Sequence, residues 1–306
     1  MGIKHIFIGI GYGLFDSIKG IILLIVLNNE INSFNSDDNN LDERSFDNLV
    51  SKKKTPDRRE SKILKQVLKC CTLNGLFTWV SIVLFENGML PGLHYITTLL
   101  GGNPNSWETI QLFLRVIFNF SWVLPIFVLS KIVSGLWFQD IADEAYRFRK
   151  GRPTMFPNIS KFVADTSFSL LVQILFLIQS FIVSFIPKHI GAVLCFIHLC
   201  LLYSLYSFEY KWVNMGWELD KRLSYVECNW PYFIGFGIPL TILTSLPESI
   251  IVSGCLFSIL FPIFIISGNE AKPIVGSVFI PVRLFSPVVA LTNLLFTQLT
   301  GHKRNS

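Results

Sequence analysis

The 306-residue chain is 51% hydrophobic and only 15% charged, with 28 phenylalanines. A soluble domain carries roughly 25% charged residues, so this chain lacks the polar surface to cover a core in water and reads as a membrane protein. Its net charge of +5 lies in loops between apolar runs, a positive-inside pattern that points to the lipid bilayer as partner and away from nucleic acid.

Residues 3–25 place Ile3, Ile6, Phe7, Ile10, Leu14, Ile18, Ile21, Ile22 and Ile25 mostly three and four apart. That spacing predicts an amphipathic helix, weakened by Gly9, Gly11 and Gly13 at about 1 kcal/mol each relative to Ala. Asp16 and Lys19 interrupt the run and no small-residue cleavage site follows, so a cleaved signal peptide is not expected. Residues 1–27 are read as a helix in the cytosolic membrane interface, with a first membrane span as the alternative. Residues 28–62 are rich in Asn, Asp, Ser and Lys, the composition of a disordered cytosolic linker.

Apolar runs at residues 67–85 and 110–138 predict two crossings, and residues 86–109 between them hold no Lys or Arg. Runs at 162–186 and 191–208 predict two more, joined by a short turn. Residues 232–267, broken by Pro239, Pro247 and Pro262, fall short of two crossings of about 20 residues each. A re-entrant hairpin with "SLPESI" at its tip is therefore favoured. Arg147, Arg149, Lys150, Arg152 and Lys161, then Lys211, Lys221 and Arg222, then Lys303 and Arg304 all fall on one side of such a topology. This predicts cytosolic termini. The fold class is all-α, a polytopic membrane helix bundle of about four spanning helices plus a C-terminal re-entrant or short helical hairpin. The membrane domain is expected over residues 63–292 and a cytosolic tail over 293–306.

Five polar residues stand out. Lys131 lies about 10 Å before Phe138 along a helix and can snorkel to the cytosolic interface, while Pro125 is expected to kink this span. Asp140 and Asp143, with Glu144, share a helix face just past Trp137 and read as its wet end. Glu209 marks the cytosolic end of another span, and the Trp-rich segment 205–237 is expected to form a collar ion-paired with Asp140 and Asp143. Glu248, in the hairpin tip, is either exposed or held near the midplane as a functional group. Catalysis is not expected. The five histidines are scattered, no protease, esterase or phosphate-binding motif occurs, and Cys195, His198 and Cys200 cannot all face one way on a helix. No cofactor or metal is expected.

The stretches "WVLPIFVLSKIVSGLWFQDIAD", "LLYSLYSFEYKW", "NWPYFIGFGIPL" and "SGCLFSILFPIFIISGNEAK" closely resemble the etoposide-induced protein 2.4 homologs, also known as the ectopic P-granules autophagy family. The likeness runs over residues 63–292. It implies an endoplasmic-reticulum protein needed for autophagosomes to mature into degradative autolysosomes, linked to apoptosis and growth suppression, with autophagy-related proteins or lipids as partners of its cytosolic loops. The same domain resembles bacterial sulfate permeases, which implies a second class of function, an anion or small-solute pathway. There a Gly-Leu-Arg stretch contributes to sulfate binding. Here the equivalent is Gly20-Ile21-Ile22, without an arginine.

Overall fold

The computed structural model describes residues 4–20, 22, 26, 62–99, 104–118, 121–122, 124–150, 159–187, 189–273 and 281–301. The linker expected at 28–62 lies outside them except for Lys62, as do the tail beyond residue 301 and the side chain of Lys131. Among the described residues the fold is entirely helical. The helices are α1 (residues 4–20), α2 (Lys62–Cys71), α3 (Thr78–Leu84), α4 (Leu90–Leu99), α5 (Pro104–Phe118) and α6 (Leu124–Lys150). They continue as α7 (Ile159–Ser184), α8 (His189–Asn214), α9 (Leu219–Cys228), α10 (Trp230–Ser245), α11 (Ile250–Glu270) and α12 (Ser286–Gly301).

Three stretches among the described residues are long and apolar enough to cross a bilayer: Ala164–Ser184 of α7, His189–Asn214 and Ile250–Glu270. The first two are the runs read as the third and fourth crossings. After residue 230 the helical run is interrupted at residues 246–249, where the hairpin tip was expected. The helices on either side differ. α10 has 16 residues, about 24 Å at 1.5 Å each, whereas α11 has 21, about 32 Å and enough for a bilayer core.

The two earlier runs are corrected. Residues 67–85 are not one helix: α2 and α3 are separated by a π-helical segment, Thr72–Phe77, and a second, Phe85–Met89, follows. Buried Asn74 gives the reason. Its Nδ2 donates to the Cys70 carbonyl at 3.0 Å and to Ser134 Oγ at 2.9 Å, so a side chain competes for a carbonyl of the helical ladder and the turn widens. The run 110–138 divides between α5 and α6. Pro125 does not kink a span but sits in the first turn of α6, where its missing N–H has no intrahelical partner to lose.

The chain forms two compact units. Unit 1 comprises residues 1–30, 142–243 and 263–306, and unit 2 residues 31–141 and 244–262. Unit 2 packs by rings, Phe85 stacked on Phe118 with centroids 3.7 Å apart and Phe138 edge-on to Phe261 at 5.1 Å. In unit 1, α7 and α8 form an antiparallel pair, and Phe208 meets Trp212, Phe233 and Phe236 at centroid distances of 5.4, 5.2 and 4.8 Å.

Helix α1 packs in unit 1 with its small residues inward. Gly9, Gly13, Ser17 and Gly20 are buried, whereas Phe7, Phe15 and Ile18 are 68%, 64% and 53% exposed. The glycines that weaken the helix in isolation are its contact face, since small residues let backbones approach where lipid provides no hydrophobic drive between helices. Asp16 accepts a 2.6 Å bond from the Tyr232 hydroxyl, and Ser267 Oγ donates to the Ser17 carbonyl at 2.9 Å.

Candidate functional site

The polar centre of unit 1 begins with a chain reversal. Helix α8 ends at Asn214, and Gly216 takes φ of 69°, the left-handed conformation that glycine adopts without a Cβ clash. The N–H groups of Gly216 and Trp217 close the turn on Val213 and Trp212 at 2.9 Å. α9 is thereby folded back, and Arg222 enters the space between α7 and α8 with no exposed surface.

All the donor edges of Arg222 are engaged. Its Nη2 lies 2.6 Å from Asp165 Oδ2 and its Nη1 3.2 Å from Glu209 Oε1, while Nε and Nη2 donate to the Trp217 carbonyl at 2.8 and 2.6 Å. Glu209 also accepts from Ser169 and Gln173. Asp165 Oδ1 accepts from the Leu219 N–H at 3.3 Å, satisfying an orphan donor at the start of α9. A buried guanidinium is tolerated because its fork meets carboxylates and carbonyls together.

A second buried cation, Lys211, donates to the Gly268 and Ala271 carbonyls at 3.1 and 2.7 Å. These lie at the C-terminal end of α11, where carbonyls lack helical partners and the dipole favours positive charge. Lys211→Met is expected to leave them unsatisfied and to lower stability by about 1–3 kcal/mol. Thermal unfolding in one detergent checks this against the parent chain.

The predicted site residues do not converge. Asp140 accepts a 3.1 Å bond from Gln66 in unit 2, at an exposed position. Asp143 accepts from Asn214 Nδ2 at 2.9 Å in unit 1, so the expected contact with the 205–237 segment is a hydrogen bond to an amide. Glu209 pairs with Arg222, and Glu248 is exposed between α10 and α11. Lys131 lies on α6, with its side chain outside the described residues. His198 faces Gln179 Nε2 at 3.1 Å and the Leu194 carbonyl at 2.7 Å, whereas Cys200, two residues on, is buried on another face of α8. Among the described residues no group of three or more His, Cys, Asp or Glu is placed to hold a metal.

Arg222, Asp165 and Lys211 were not singled out as a site from sequence. One signal was available, because Asp165, Ser169 and Gln173 recur every fourth residue through an apolar helix, a polar stripe that requires a partner inside. On α9, Glu227 accepts a 2.9 Å bond from the Phe285 N–H. Burial raises its pKa above the ordinary carboxylate range, opposed by that N–H and by Arg283.

These features define a helical membrane protein whose buried charges bind its own helices together. The chain belongs to the family described as "Sulfate transporter CysZ/Etoposide-induced protein 2.4", which matches residues 58–253. It is 36% identical over 151 residues to Ectopic P granules protein 4 of Caenorhabditis elegans, a match that spans about half of each, 49% of this chain and 48% of the worm protein. It is 30% identical over 248 residues to Protein EI24 homolog of Arabidopsis thaliana, covering 70% of this chain and 77% of the plant protein. The Protein EI24 homolog of Dictyostelium discoideum is 32% identical over 215 residues, 68% and 66% of the two chains. No solved structure matches the chain.

Proposed function

We propose that this chain is a non-enzymatic multi-pass protein of the endoplasmic-reticulum membrane, with cytosolic termini, required for autophagosomes to mature into degradative autolysosomes. It acts as a scaffold whose cytosolic loops engage autophagy-related proteins or lipids, and the same reading includes a role in apoptosis and growth suppression. Family membership and the similarity to Ectopic P granules protein 4 support the autophagy assignment.

One observation favours a scaffold over an anion pathway. An anion site needs donors and positive charge available to the ion. Both buried cations among the described residues, Lys211 and Arg222, are engaged by internal carbonyls and carboxylates. Gly20, in the stretch equivalent to the permease Gly-Leu-Arg, packs so closely on Ser267 that an added Cβ would lie 2.6 Å from the Ile263 carbonyl oxygen. The permease reading, in keeping with the family's other name, therefore rests on Arg115, Lys131 and Glu248.

The test is turnover of an autophagy cargo in cells lacking the protein, complemented with the full chain or with Lys131→Met/Glu248→Gln. Stalled turnover restored equally by both supports the scaffold. Restoration by the parent chain alone, with the variant folded and correctly located, favours the pathway. Normal turnover without the protein refutes the autophagy assignment.

A further inference from the structure

In sequence, Glu218, Asp220, Lys221 and Arg222 look self-neutralising, but the fold separates them. Arg222 is turned inward onto Asp165 and Glu209, and the Lys221 ammonium lies 4.2 Å from the centre of the Trp217 ring. Exposed Asp220 remains at the junction of two adjoining cavities of about 360 and 350 Å³, which share Asp220 and Asn293 as lining residues.

The second cavity is a groove between two helical stripes. α9 contributes Asp220, Leu223, Ser224 and Glu227, and α12 contributes Ser286, Val289, Ala290 and Asn293. Each set has the i, i+3, i+4, i+7 spacing of one helix face. Along α9 the order is acid, apolar and small polar, acid, with the carboxylates about 10 Å apart. Asp165 and Glu218 add acids at the first cavity, and among the described residues no Lys or Arg lines either one. Asp165 is answered by Arg222, Glu227 in part by Arg283, and Glu218 is not free either, so the acids the groove presents over Leu223, Val289 and Ala290 are exposed Asp220 and the partly answered Glu227. Such a surface repels anionic headgroups and complements a cation-bearing apolar ridge.

We infer that the α9–α12 groove docks a short amphipathic helix of a partner protein, with basic residues seven apart flanking apolar ones. Its cations meet Asp220 and Glu227 while its apolar residues enter between Leu223 and Val289, the helix-in-groove mode of recognition. The inference rests on the reading that this end of unit 1 faces the cytosol, and it supplies the chemistry of a partner for the proposed scaffold.

The experiment uses the full chain in nanodiscs of phosphatidylcholine. The probe is a fluorescent synthetic peptide helix carrying Lys residues seven apart around Leu, followed by anisotropy. Asp220→Asn/Glu227→Gln keeps the acceptor for the Phe285 N–H and removes both charges. The parent is expected to bind the probe at least about tenfold more tightly than this variant, a difference of about 1.4 kcal/mol, and to lose affinity as salt rises. Equal binding by parent and variant, or by empty nanodiscs, assigns the probe to the lipid surface and overturns the inference. Equal binding of a probe with Glu in place of Lys also overturns it. These outcomes are read on purified protein, so they leave the autophagy assignment standing, whereas cargo turnover tests that assignment separately.

Discussion

Arg222→Ala is expected to lower stability by about 3–5 kcal/mol, the cost of removing one partner from a buried ion pair. Two carboxylates, Asp165 and Glu209, then face each other without their shared cation, and the Trp217 carbonyl loses two donors. Arg222→Lys is expected to lose less, because an ammonium restores the charge but not the planar fork that reaches three acceptors at once. The triple change Arg222→Met, Asp165→Asn and Glu209→Gln is expected to recover much of the loss, since replacing every member of a buried network by neutral groups is far milder than orphaning one. Equilibrium unfolding of all four chains in one detergent measures these differences. A loss below about 1 kcal/mol for Arg222→Ala, the range of a solvent-exposed pair, would contradict the buried network.

The same residues explain what the sequence could and could not disclose. Helices α7 and α8 were legible because long apolar runs have few structural solutions in a membrane. The break between α10 and α11 was legible because Pro247 and Glu248 interrupt such a run. The division of residues 67–85 was not, since it depends on which carbonyl the Asn74 amide reaches and on Ser134, sixty residues away. Arg222 was hidden for a related reason. It stands among alternating charges that suggest a solvated helix, and only the turn at Gly216 directs it inward. Periodicity found the apolar stripe of α1, but Phe7 and Ile18 of that stripe are exposed while Ile6, Ile10 and Leu14 are half-buried, and the face that docks most closely is the one with little side chain.

That close docking carries the last prediction. An added Cβ at Gly13 would lie 2.7 Å from the Phe236 nitrogen and closer still to the Tyr232 carbonyl oxygen. At Gly235 it would lie 2.8 Å from the Ile10 Cα. These obstacles are backbone atoms, so no change of rotamer relieves them and the helices must separate. Gly13→Ala is therefore expected to destabilise unit 1 by about 1–3 kcal/mol, the range for overpacking a close contact. This outweighs the gain of up to about 1 kcal/mol that Ala brings to a helix interior. Gly11 lies on the same helix with nothing within 4 Å of its added Cβ, so Gly11→Ala is expected to show that gain alone and shift stability the other way. Thermal unfolding of the two variants beside the parent gives the sign of each change. Opposite signs require α1 to be seated on α10 by its small face, whereas equal shifts would mean that α1 does not dock there. Tyr232→Phe provides a second reading, because it removes the hydrogen bond to Asp16 without altering the glycine contacts. If α1 is seated, that change is expected to cost about 0.5–1.5 kcal/mol, the net worth of one hydrogen bond to a half-buried acceptor. If α1 is free, it is expected to cost nothing measurable.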